Sequence, residues 1–350
     1  MPTFRAAYLK KVASGILEKA GAPDDEADVV AASLVQSNLF GHDSHGVIRV
    51  PQYVQSMQTG HIQPGAHIEV EREAPASAAL NGNWGFGQVI ARRATQMAIE
   101  KAQHASVGCV TVRQCNHVGR LGEYTALAAE ADMAAVMTVN NHGAAQRMAP
   151  WGGTEPRLSP NPISFAAPRA RGRPIVVDIT STVVAEGKVR VARNKGERIP
   201  EGWAIDVHGQ PITDPREFYA FPPGALLPFG GIVGHKGFAL GMMVDILSGA
   251  LSGAGCSRRS GTRNGNAMFM VVVNIARFTP LDSFKREVDD LVDYVKSSAK
   301  MPGVREILVP GEPEYRRMEQ REREGIYVEE GTWEQICACA RDVGYAIPAE

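Results

Sequence analysis

Strand-length apolar runs alternate with helix-length segments through the middle of the chain, and this pattern limits the possible folds more than any other feature. The runs lack the 3.6-residue period of a helix and are rich in Val, Ile, Ala and Met. They span residues 107–113, 134–139, 174–180 and 267–278. Buried strands separated by helices are typical of a mixed or parallel sheet covered on both faces. The sequence therefore predicts an α/β fold.

Both ends of the chain are predicted to be helical, because their apolar residues recur at helical spacing. Chain termini often lie close together, so we expect these helices to form one unit made of residues 1–75 and 281–350. The sheet then occupies residues 76–280, with loop-rich insertions at 140–174, which holds six prolines, and at 194–234.

Composition argues against several classes of partner. The 350 residues carry a net charge of −1 with no basic block, so we expect no nucleic-acid partner. We expect no membrane partner either, because no apolar stretch is long enough to cross a bilayer. The first residues lack the features of a secretory signal, which predicts a cytoplasmic protein. The five irregularly spaced cysteines are predicted to be reduced and mostly buried.

His45, Arg49 and Tyr53 are spaced four residues apart. If a helix begins just after His45, the three side chains leave one helix face. An imidazole beside a guanidinium suits a small substrate that has a carboxylate next to a reactive carbon. Alternatively, the segment is only a helix N-terminus capped by Asp43 or Ser44, with His45 as a locally satisfied polar residue.

A second histidine lies at the end of a predicted strand. His117 follows the run 107–112 and precedes a predicted helix at 120–132. Such junctions are exposed loops on a rigid scaffold, where α/β folds build their sites. A single histidine there is more often structural, but two at element boundaries favour a site.

The chain contains no GxGxxG after a strand, so a standard Rossmann nucleotide site is not supported. A glycine-rich segment at 229–237 opens a helix and includes His235 and Lys236, a pattern that can bind phosphate. Alternatively, it is a turn with a solvated lysine. Asp178 to Ser181 end a strand and either contact a ribose or nicotinamide amide or cap a helix. The segment 159–168 (SPNPISFAAP) is predicted to be a loop with exposed backbone groups.

Taken together, these segments resemble one family, the second type of malate/L-lactate dehydrogenase. The family also includes ureidoglycolate, sulfolactate and diketogulonate dehydrogenases and piperideine-2-carboxylate reductase. The matching segments, which cover nearly the whole chain in order, are SHGVIR (44–49), NHVGRLGEY (116–124), PWGG (150–153), SPNPISFAAP (159–168), VVDITSTVVAEGK (176–188), IPEGWAID (199–206), GGIVGHKGFAL (230–240) and PGEPE (310–314).

The resemblance implies a mixed-sheet, three-layer, non-Rossmann fold that binds NAD or NADP, a helical domain built from both termini, and a homodimer with sites near the subunit interface. It places the family's two histidines on His45 and His117 and its substrate arginine on Arg49. Its cofactor contacts fall on Ser44, Asn141, Ser159, Asn161, Asp178, Ile179, Thr180, Ser181, His235, Lys236, Gly311, Glu312 and Pro313. Arg258, Arg259 and Arg263 either face a 2′-phosphate or belong to a solvated loop.

The implied reaction moves a hydride between nicotinamide and C2 of a small 2-hydroxy or 2-oxo acid. An imidazole can exchange the hydroxyl proton in either direction, and we assign His117 to this step. His45 is the second candidate, or a donor that polarises the same oxygen, and Arg49 binds the carboxylate. One alternative is reduction of a cyclic ketimine carboxylate at the same site. A remote alternative is a metal-dependent hydrolase or lyase that uses His42, His45 and His117.

Overall fold

The computed structural model describes residues 2–143, 146–258 and 263–350, and its centre is a seven-stranded sheet. The sheet order is β2-β3-β4-β10-β5-β6-β7. Its strands are β2 (Glu69–Ala74), β3 (Ser77–Asn81), β4 (Val107–Cys115), β5 (Met133–His142), β6 (Ile163–Ala167), β7 (Ile175–Ile179) and β10 (Gly265–Asn274). Of these strands, β3 and β4 pair in parallel and the other neighbours pair antiparallel. The predicted mixed α/β sheet is confirmed.

Short two-stranded pairs form outside this sheet. They join β1 (Thr3–Phe4) to β11 (Ile326–Tyr327) and β8 (Ala204–Ile205) to β9 (Ala225–Leu226). The helices are α1 (Ala6–Lys19), α2 (Asp24–Leu39), α3 (Val50–Gln58), α4 (Gly87–Ala105), α5 (Gly122–Glu130), α6 (Glu186–Lys195), α7 (Pro215–Phe218), α8 (His235–Asp245), α9 (Leu281–Lys296), α10 (Glu312–Glu324) and α11 (Glu330–Asp342).

The central sheet is covered on both faces, as β5 illustrates. Successive side chains along a strand point to opposite faces of the sheet. Met137 and Val139 point towards α4 and α5 and share their apolar core. Thr138 and Asn140 point the other way, where Thr138 bonds the Ser248 hydroxyl at 2.8 Å beyond the end of α8. The continuous apolar strands of the sequence are therefore buried strands between helix layers.

A second core joins the two ends of the chain. In α1 the apolar positions Leu9, Val12, Ile16 and Leu17 recur at helical spacing and are buried. They pack in one cluster with residues of α2, α3 and α11. Burial of these apolar side chains thus holds the N-terminal helices against α11, although the two ends are far apart in the sequence.

Two segments near the predicted domain boundaries contact the sheet. Strand β2 lies before residue 75 and pairs with β3. Helix α9 lies after residue 281, and its buried Asp289 binds Arg169 at 2.7 Å, just beyond β6. The proposed division into residues 1–75 plus 281–350 and residues 76–280 remains a prediction.

One predicted loop is a strand. Residues 159–168 include β6, which lies between β5 and β7 in the sheet. The prolines at 160, 162 and 168 flank the strand rather than interrupt it, so its backbone N–H groups remain available for the ladder. The prediction of an exposed loop was wrong for Ile163–Ala167 because it gave the flanking prolines too much weight.

Candidate active site

Strands β3, β4, β5 and β7 end at the same edge of the sheet. Strands β4 and β5 both run antiparallel to β10, and β5 and β7 both run antiparallel to β6. The residues that follow these strands therefore lie along one edge, where α/β folds bind ligands. His117, Asn141 and Asp178, predicted from separate segments, all lie at this edge.

His45 and His117 lie face to face. Their ring centroids are 5.3 Å apart and the ring planes differ by 25°. His117 follows β4, and His45 ends a 3₁₀ turn, Asp43–His45. Each ring is partly exposed, so both can reach a ligand in the same recess. The structure thus brings together the two histidines that the sequence predicts.

The turn that carries His45 is held by Asn38. The Asn38 side chain donates to Asp43 Oδ1 at 2.7 Å and accepts from the backbone N–H of Val47 at 2.9 Å. A Cβ on Gly46 would lie 2.2 Å from Asn38 Oδ1, so glycine is required there. The predicted single helix from about Gly46 was wrong, because the chain forms two 3₁₀ turns before α3.

Arg49 lies on the second 3₁₀ turn, beside both imidazoles. Its Nε donates to the Ser44 carbonyl at 2.7 Å and its Nη1 donates to Gln52 Oε1 at 2.7 Å. No carboxylate in the described part of the chain forms an ion pair with it. A half-buried guanidinium held by neutral partners keeps its positive charge available for an anionic ligand.

Tyr53 and Gln88 extend the site behind His117. Tyr53 Oη lies 2.7 Å from His117 Nδ1 and accepts a hydrogen bond from Gln88 Nε2 at 2.8 Å. Both side chains are buried. The sequence placed Tyr53 at the site but missed Gln88, for which the only signal is an amide on the mostly apolar buried face of α4.

Both imidazoles are neutral near pH 7. Burial, followed by the charge of Arg49, lowers the pKa of His45 to about 3. The same two causes, in the same order, hold the pKa of His117 well below its ordinary value. A carboxylate bound to Arg49 would offset the second cause, so ligand binding would raise both pKa values.

Arg190 is a second cation near the site that sequence reasoning missed. Gly187 packs so closely on Ser44 that an added Cβ would lie 2.4 Å from the Ser44 Cβ. Arg190 lies three residues further along α6, on the same helix face, and its charge also lowers the pKa of both histidines. Glu186 pairs with it at 2.8 Å. The sequence indicated only a helix here.

A cavity of about 390 Å³ opens beside His42, and its lining does not include His45, His117 or Arg49. Its lining includes His42, Arg120, Asp178 and Gly311. Asp178 accepts the backbone N–H of Gly122 at 2.7 Å, at the start of α5. The volume lies in the range of small-molecule sites. The structure therefore brings one residue from each of two predicted cofactor segments, Asp178 and Gly311, to one cavity.

Several other predicted contact residues have internal partners. Ser181 Oγ donates to the Pro160 carbonyl at 2.7 Å, and Asn161 Nδ2 donates to the Gly241 carbonyl at 2.9 Å. Thr180 Oγ1 bonds Thr182, Glu312 pairs with Lys296, Ser159 is buried near the Asn141 carbonyl, and Ile179 is exposed. None of these residues lines the cavity described above, and the polar side chains among them are engaged within the protein.

His235 and Lys236 are exposed at the start of α8, away from the cavity lining. The His235 ring lies 6.0 Å from Trp151, which is itself 47% exposed. Within one chain, the structure does not bring this predicted cofactor segment to the cavity.

The basic segment near residue 260 is only partly described. Arg263 stacks over Trp84 at 4.1 Å and donates to the Gly60 carbonyl at 2.8 Å. Arg258 is exposed, and Arg259 lies outside the described residues. The contacts of Arg263 are those of a structural side chain, and they give no support to a 2′-phosphate site at that residue.

The described residues contain no group of three His, Cys, Asp or Glu side chains arranged to hold a metal ion. The alternative that uses His42, His45 and His117 as metal ligands therefore lacks structural support. Within residues 2–143, 146–258 and 263–350, no helix is long and apolar enough to cross a membrane. All five cysteines are described, and each is a free thiol.

The known proteins that this chain resembles match it along nearly its whole length. A malate dehydrogenase of Pyrococcus abyssi is 40% identical over 337 residues, which cover 94% of this chain and 91% of that protein. The structure of malate dehydrogenase from Pyrococcus horikoshii matches with a TM-score of 0.89 at 34% identity, over 99% of this chain and 96% of that one. Δ1-piperideine-2-carboxylate reductase from Pseudomonas syringae matches with a TM-score of 0.81 at 28% identity, over 97% and 100% of the two chains.

The sequence profile of one family spans almost all of the described structure. It covers residues 4–337 and so includes both histidines, Arg49 and the cavity walls. The expected resemblance is confirmed, and the chain belongs to the malate/L-lactate dehydrogenase family.

Proposed function

We propose that this protein transfers a hydride between a nicotinamide cofactor and C2 of a small 2-hydroxy or 2-oxo acid of the malate/lactate type. Members of its family are oxidoreductases that act on CH–OH donors. The observation that carries the proposal is the facing pair of His45 and His117 beside Arg49, whose charge has no carboxylate partner among the described residues.

Arg49 binds the substrate carboxylate in this proposal. Its fork is already oriented by Ser44 and Gln52, so little side-chain freedom is lost when the anion binds. Fixing the carboxylate fixes C2 next to it, and correct placement of the reacting carbon supplies much of the rate. The substrate hydroxyl or carbonyl oxygen then lies at the edges of the two stacked imidazoles, within reach of their ring nitrogens.

The imidazoles hydrogen-bond to the substrate oxygen and exchange its proton. Hydride loss from C2 requires the hydroxyl to lose its proton, and hydride gain requires the carbonyl oxygen to receive one. A neutral imidazole can accept that proton, and its protonated form can return it. Because a carboxylate on Arg49 raises the pKa of both rings, substrate binding itself prepares them for this exchange.

The cofactor is NAD or NADP, and when bound it supplies the hydride donor or acceptor at C4 of its pyridine ring. The cavity lined by His42, Asp178 and Gly311 would hold part of such a group. Gly311 has φ +93°, and a Cβ there would lie 3.1 Å from the Tyr315 ring, so glycine keeps this wall open. Asp178 accepts one N–H through Oδ2, and its other oxygen can accept a ribose hydroxyl. The remaining proposed contacts are Ser44, Asn141, Ser159, Asn161, Ile179, Thr180, Ser181, His235, Lys236, Glu312 and Pro313.

The proposed cofactor site is not of the Rossmann type. Three pairs in the sheet core, β4–β10, β10–β5 and β5–β6, are antiparallel, whereas a doubly wound nucleotide fold is mostly parallel. The strand-to-helix junction at 116–122 also lacks GxGxxG. The helical unit from both termini, with residues 1–75 and 281–350, belongs to the same proposal.

We also propose a cytoplasmic homodimer. The face of α8 and its continuation exposes Met242, Met243 and Ile246 at 43%, 50% and 42%, which is unusual for large apolar side chains on one helix. His235 and Lys236 start the same helix, so a second copy packed on this face would bring them towards its partner. The free thiols agree with a reducing compartment.

Reduction of a cyclic ketimine-2-carboxylate is the second candidate. It is favoured by the fold-level match to Δ1-piperideine-2-carboxylate reductase, at 28% identity. Such a substrate also carries a carboxylate for Arg49, but its nitrogen arrives protonated. It would therefore depend less on acid help from the imidazoles.

One panel tests class, cofactor and substrate together. Purified protein is mixed with 2-oxo acids, including pyruvate and oxaloacetate, or with cyclic imine carboxylates, each with NADH and with NADPH. The proposal predicts loss of nicotinamide absorbance with at least one 2-oxo acid. Turnover of imines alone would favour the second candidate, and no turnover with any carboxylate would contradict both.

A further inference from the structure

We propose that Tyr53 and Gln88 fix the tautomer of His117, so that Nε2 carries the ring proton and His117 acts as a neutral hydrogen-bond donor to the substrate oxygen. The catalytic role rests on the proposed function. The tautomer itself is a property of the protein without ligand, so it can be measured independently.

The Tyr53 phenol has a single proton to donate. Gln88 Nε2 donates to Tyr53 Oη at 2.8 Å, and Tyr53 Oη lies 2.7 Å from His117 Nδ1. An amide nitrogen only donates, so the phenol oxygen accepts from Gln88 and its own proton is free for His117. Nδ1 then accepts that proton's hydrogen bond, and the neutral ring carries its hydrogen on Nε2.

The opposite arrangement, in which His117 Nδ1–H donates to Tyr53, is costly. The phenol would then accept from both neighbours, and its own proton would have no acceptor in the described structure. Tyr53 is only 2% exposed, so water cannot easily replace that acceptor. An unpaired buried donor costs about 1–3 kcal/mol, which corresponds to a preference of about 5- to 150-fold.

The orientation of the Gln88 amide supports the same direction. Gln88 is 1% exposed, and its Oε1 has no hydrogen-bond partner among the described residues. In this orientation Nε2 donates to Tyr53 Oη, and the group left without a partner is a carbonyl oxygen. Proteins tolerate an under-satisfied carbonyl oxygen better than an unpaired buried N–H group. The amide is therefore assigned as a donor to the phenol.

The phenol also keeps its proton during turnover. Burial raises the pKa of Tyr53 to about 12, so Tyr53 does not pass its proton on to His117 at ordinary pH. Burial, the largest cause of the lowered pKa of His117, likewise keeps Nδ1 unprotonated. A ring that neither gains nor loses a proton can still polarise a carbonyl oxygen, and one such donor is worth about 10²–10³ in kcat.

His45 has a different partner. Its Nδ1 lies 3.0 Å from Ser44 Oγ, and a hydroxyl can either donate or accept. The tautomer of His45 is therefore free to change, and His45 is the ring suited to exchange the substrate proton. This reverses the assignment made from the sequence, which gave the proton to His117.

Nitrogen chemical shifts of the imidazoles test the tautomer directly. The full-length protein is labelled with ¹⁵N-histidine, and the His117 signals are assigned by their loss in His117→Gln. We expect the Nε2–H form alone in the wild-type protein without ligand. An Nδ1–H form or a charged ring at pH 7 would overturn the proposal.

Two variants probe the chain of hydrogen bonds. Tyr53→Phe removes the donor to Nδ1, so we expect both tautomers of His117, and a pure Nε2–H signal in this variant would contradict the role of Tyr53. The ionised carboxylate of Gln88→Glu can only accept a hydrogen bond, so Tyr53 should donate to it. His117 should then donate to Tyr53 and carry its ring proton on Nδ1. Ionisation of the carboxyl group is followed by its ¹³C shift, and an unchanged tautomer after ionisation would overturn the role of Gln88.

Kinetics add a readout that simple loss of packing does not give. Gln88→Glu should lower kcat for reduction by about 10²-fold with little change in KM, because Arg49 still binds the carboxylate. Gln88→Met, of similar size but without polar atoms, is the matched control and should retain more activity than Gln88→Glu. Equal activity of the two variants would contradict the proposal. The shifts need no turnover, so a failed substrate panel would reject the proposed function without affecting the tautomer result.

Discussion

His45 and His117 face each other across one recess and experience nearly the same burial and the same arginine, yet their second ring nitrogens have different partners. His117 Nδ1 faces a buried phenol whose direction is set by Gln88, whereas His45 Nδ1 faces a hydroxyl that can serve either way. Similar electrostatics with different hydrogen-bond partners can give two identical side chains different tasks. In the active site, the partner behind the ring matters as much as the ring.

The largest expected effect comes from loss of His45, the ring proposed to exchange the proton, and it tests whether the two histidines have different roles. His45→Ala should lower kcat by about 10²–10⁴-fold and remove the histidine-dependent limb of the pH profile of kcat, which reports the pKa of His45 after the bound carboxylate has raised it. His117→Ala should lower kcat by about 10²–10³-fold and keep that limb, since it removes only a donor. Steady-state kinetics from pH 5 to pH 9 measure both.

His104→Ala is the control for these two variants, because His104 is exposed at the far end of α4 and should leave the kinetics unchanged. If His117→Ala lost the pH limb and His45→Ala kept it, the two rings would have exchanged roles. The assignment made from the sequence would then be correct.

The next effect concerns Arg49, which serves both rings. Arg49→Lys keeps a charge but loses the planar fork that Ser44 and Gln52 hold. Loss of a charge-assisted hydrogen bond of about 1.5–3 kcal/mol predicts a rise in KM of about 10- to 150-fold for the 2-oxo acid. KM for the nicotinamide cofactor should change far less.

Arg323→Lys, at an exposed position on α10, is the matched control and should behave like the wild-type protein. An unchanged KM for the 2-oxo acid in Arg49→Lys would show that the carboxylate binds elsewhere. Arg190, paired with Glu186, would then be the next residue to test.

Much of the fold follows from patterns that need only neighbours along the chain. The apolar runs predicted β4, β5, β7 and β10 because burial between two helix layers requires continuous apolar side chains. The same approach failed at β6, where flanking prolines hid a short strand. It also failed after His45, where Asn38 holds two 3₁₀ turns in place of a regular helix start.

The site was predictable only as far as its residue types carry chemistry on their own. His45, Arg49 and His117 lie in motifs and Tyr53 is spaced four residues after Arg49, and the structure brings these side chains together. Gln88 carries no such signal, because a glutamine in a helix is ordinary until its partner is known. The direction of a hydrogen bond depends on contacts between distant segments, and spacing along the chain does not encode it.

The smallest effect is on stability, and here the two rings should behave alike. The pKa of His45 is lowered to about 3 and that of His117 lies well below 6.5 in the folded protein, whereas both are near 6.5 in the unfolded chain. Below pH 6.5 the unfolded chain therefore binds protons that the folded state does not. The free energy of unfolding consequently decreases as the pH is lowered. At pH 5 each ring should account for about 1–2 kcal/mol of that loss.

Urea unfolding at pH 7.5 and pH 5 of the wild-type protein, His45→Asn and His117→Asn measures this term. Each variant should lose about 1–2 kcal/mol less than the wild type between the two pH values, while exposed His104→Asn should match the wild type. Wild-type behaviour in either site variant would mean that its imidazole is not held neutral by burial. Equal stability terms with unequal kinetic losses would separate the two influences, because stability depends on burial of the ring and catalysis on the partner behind it.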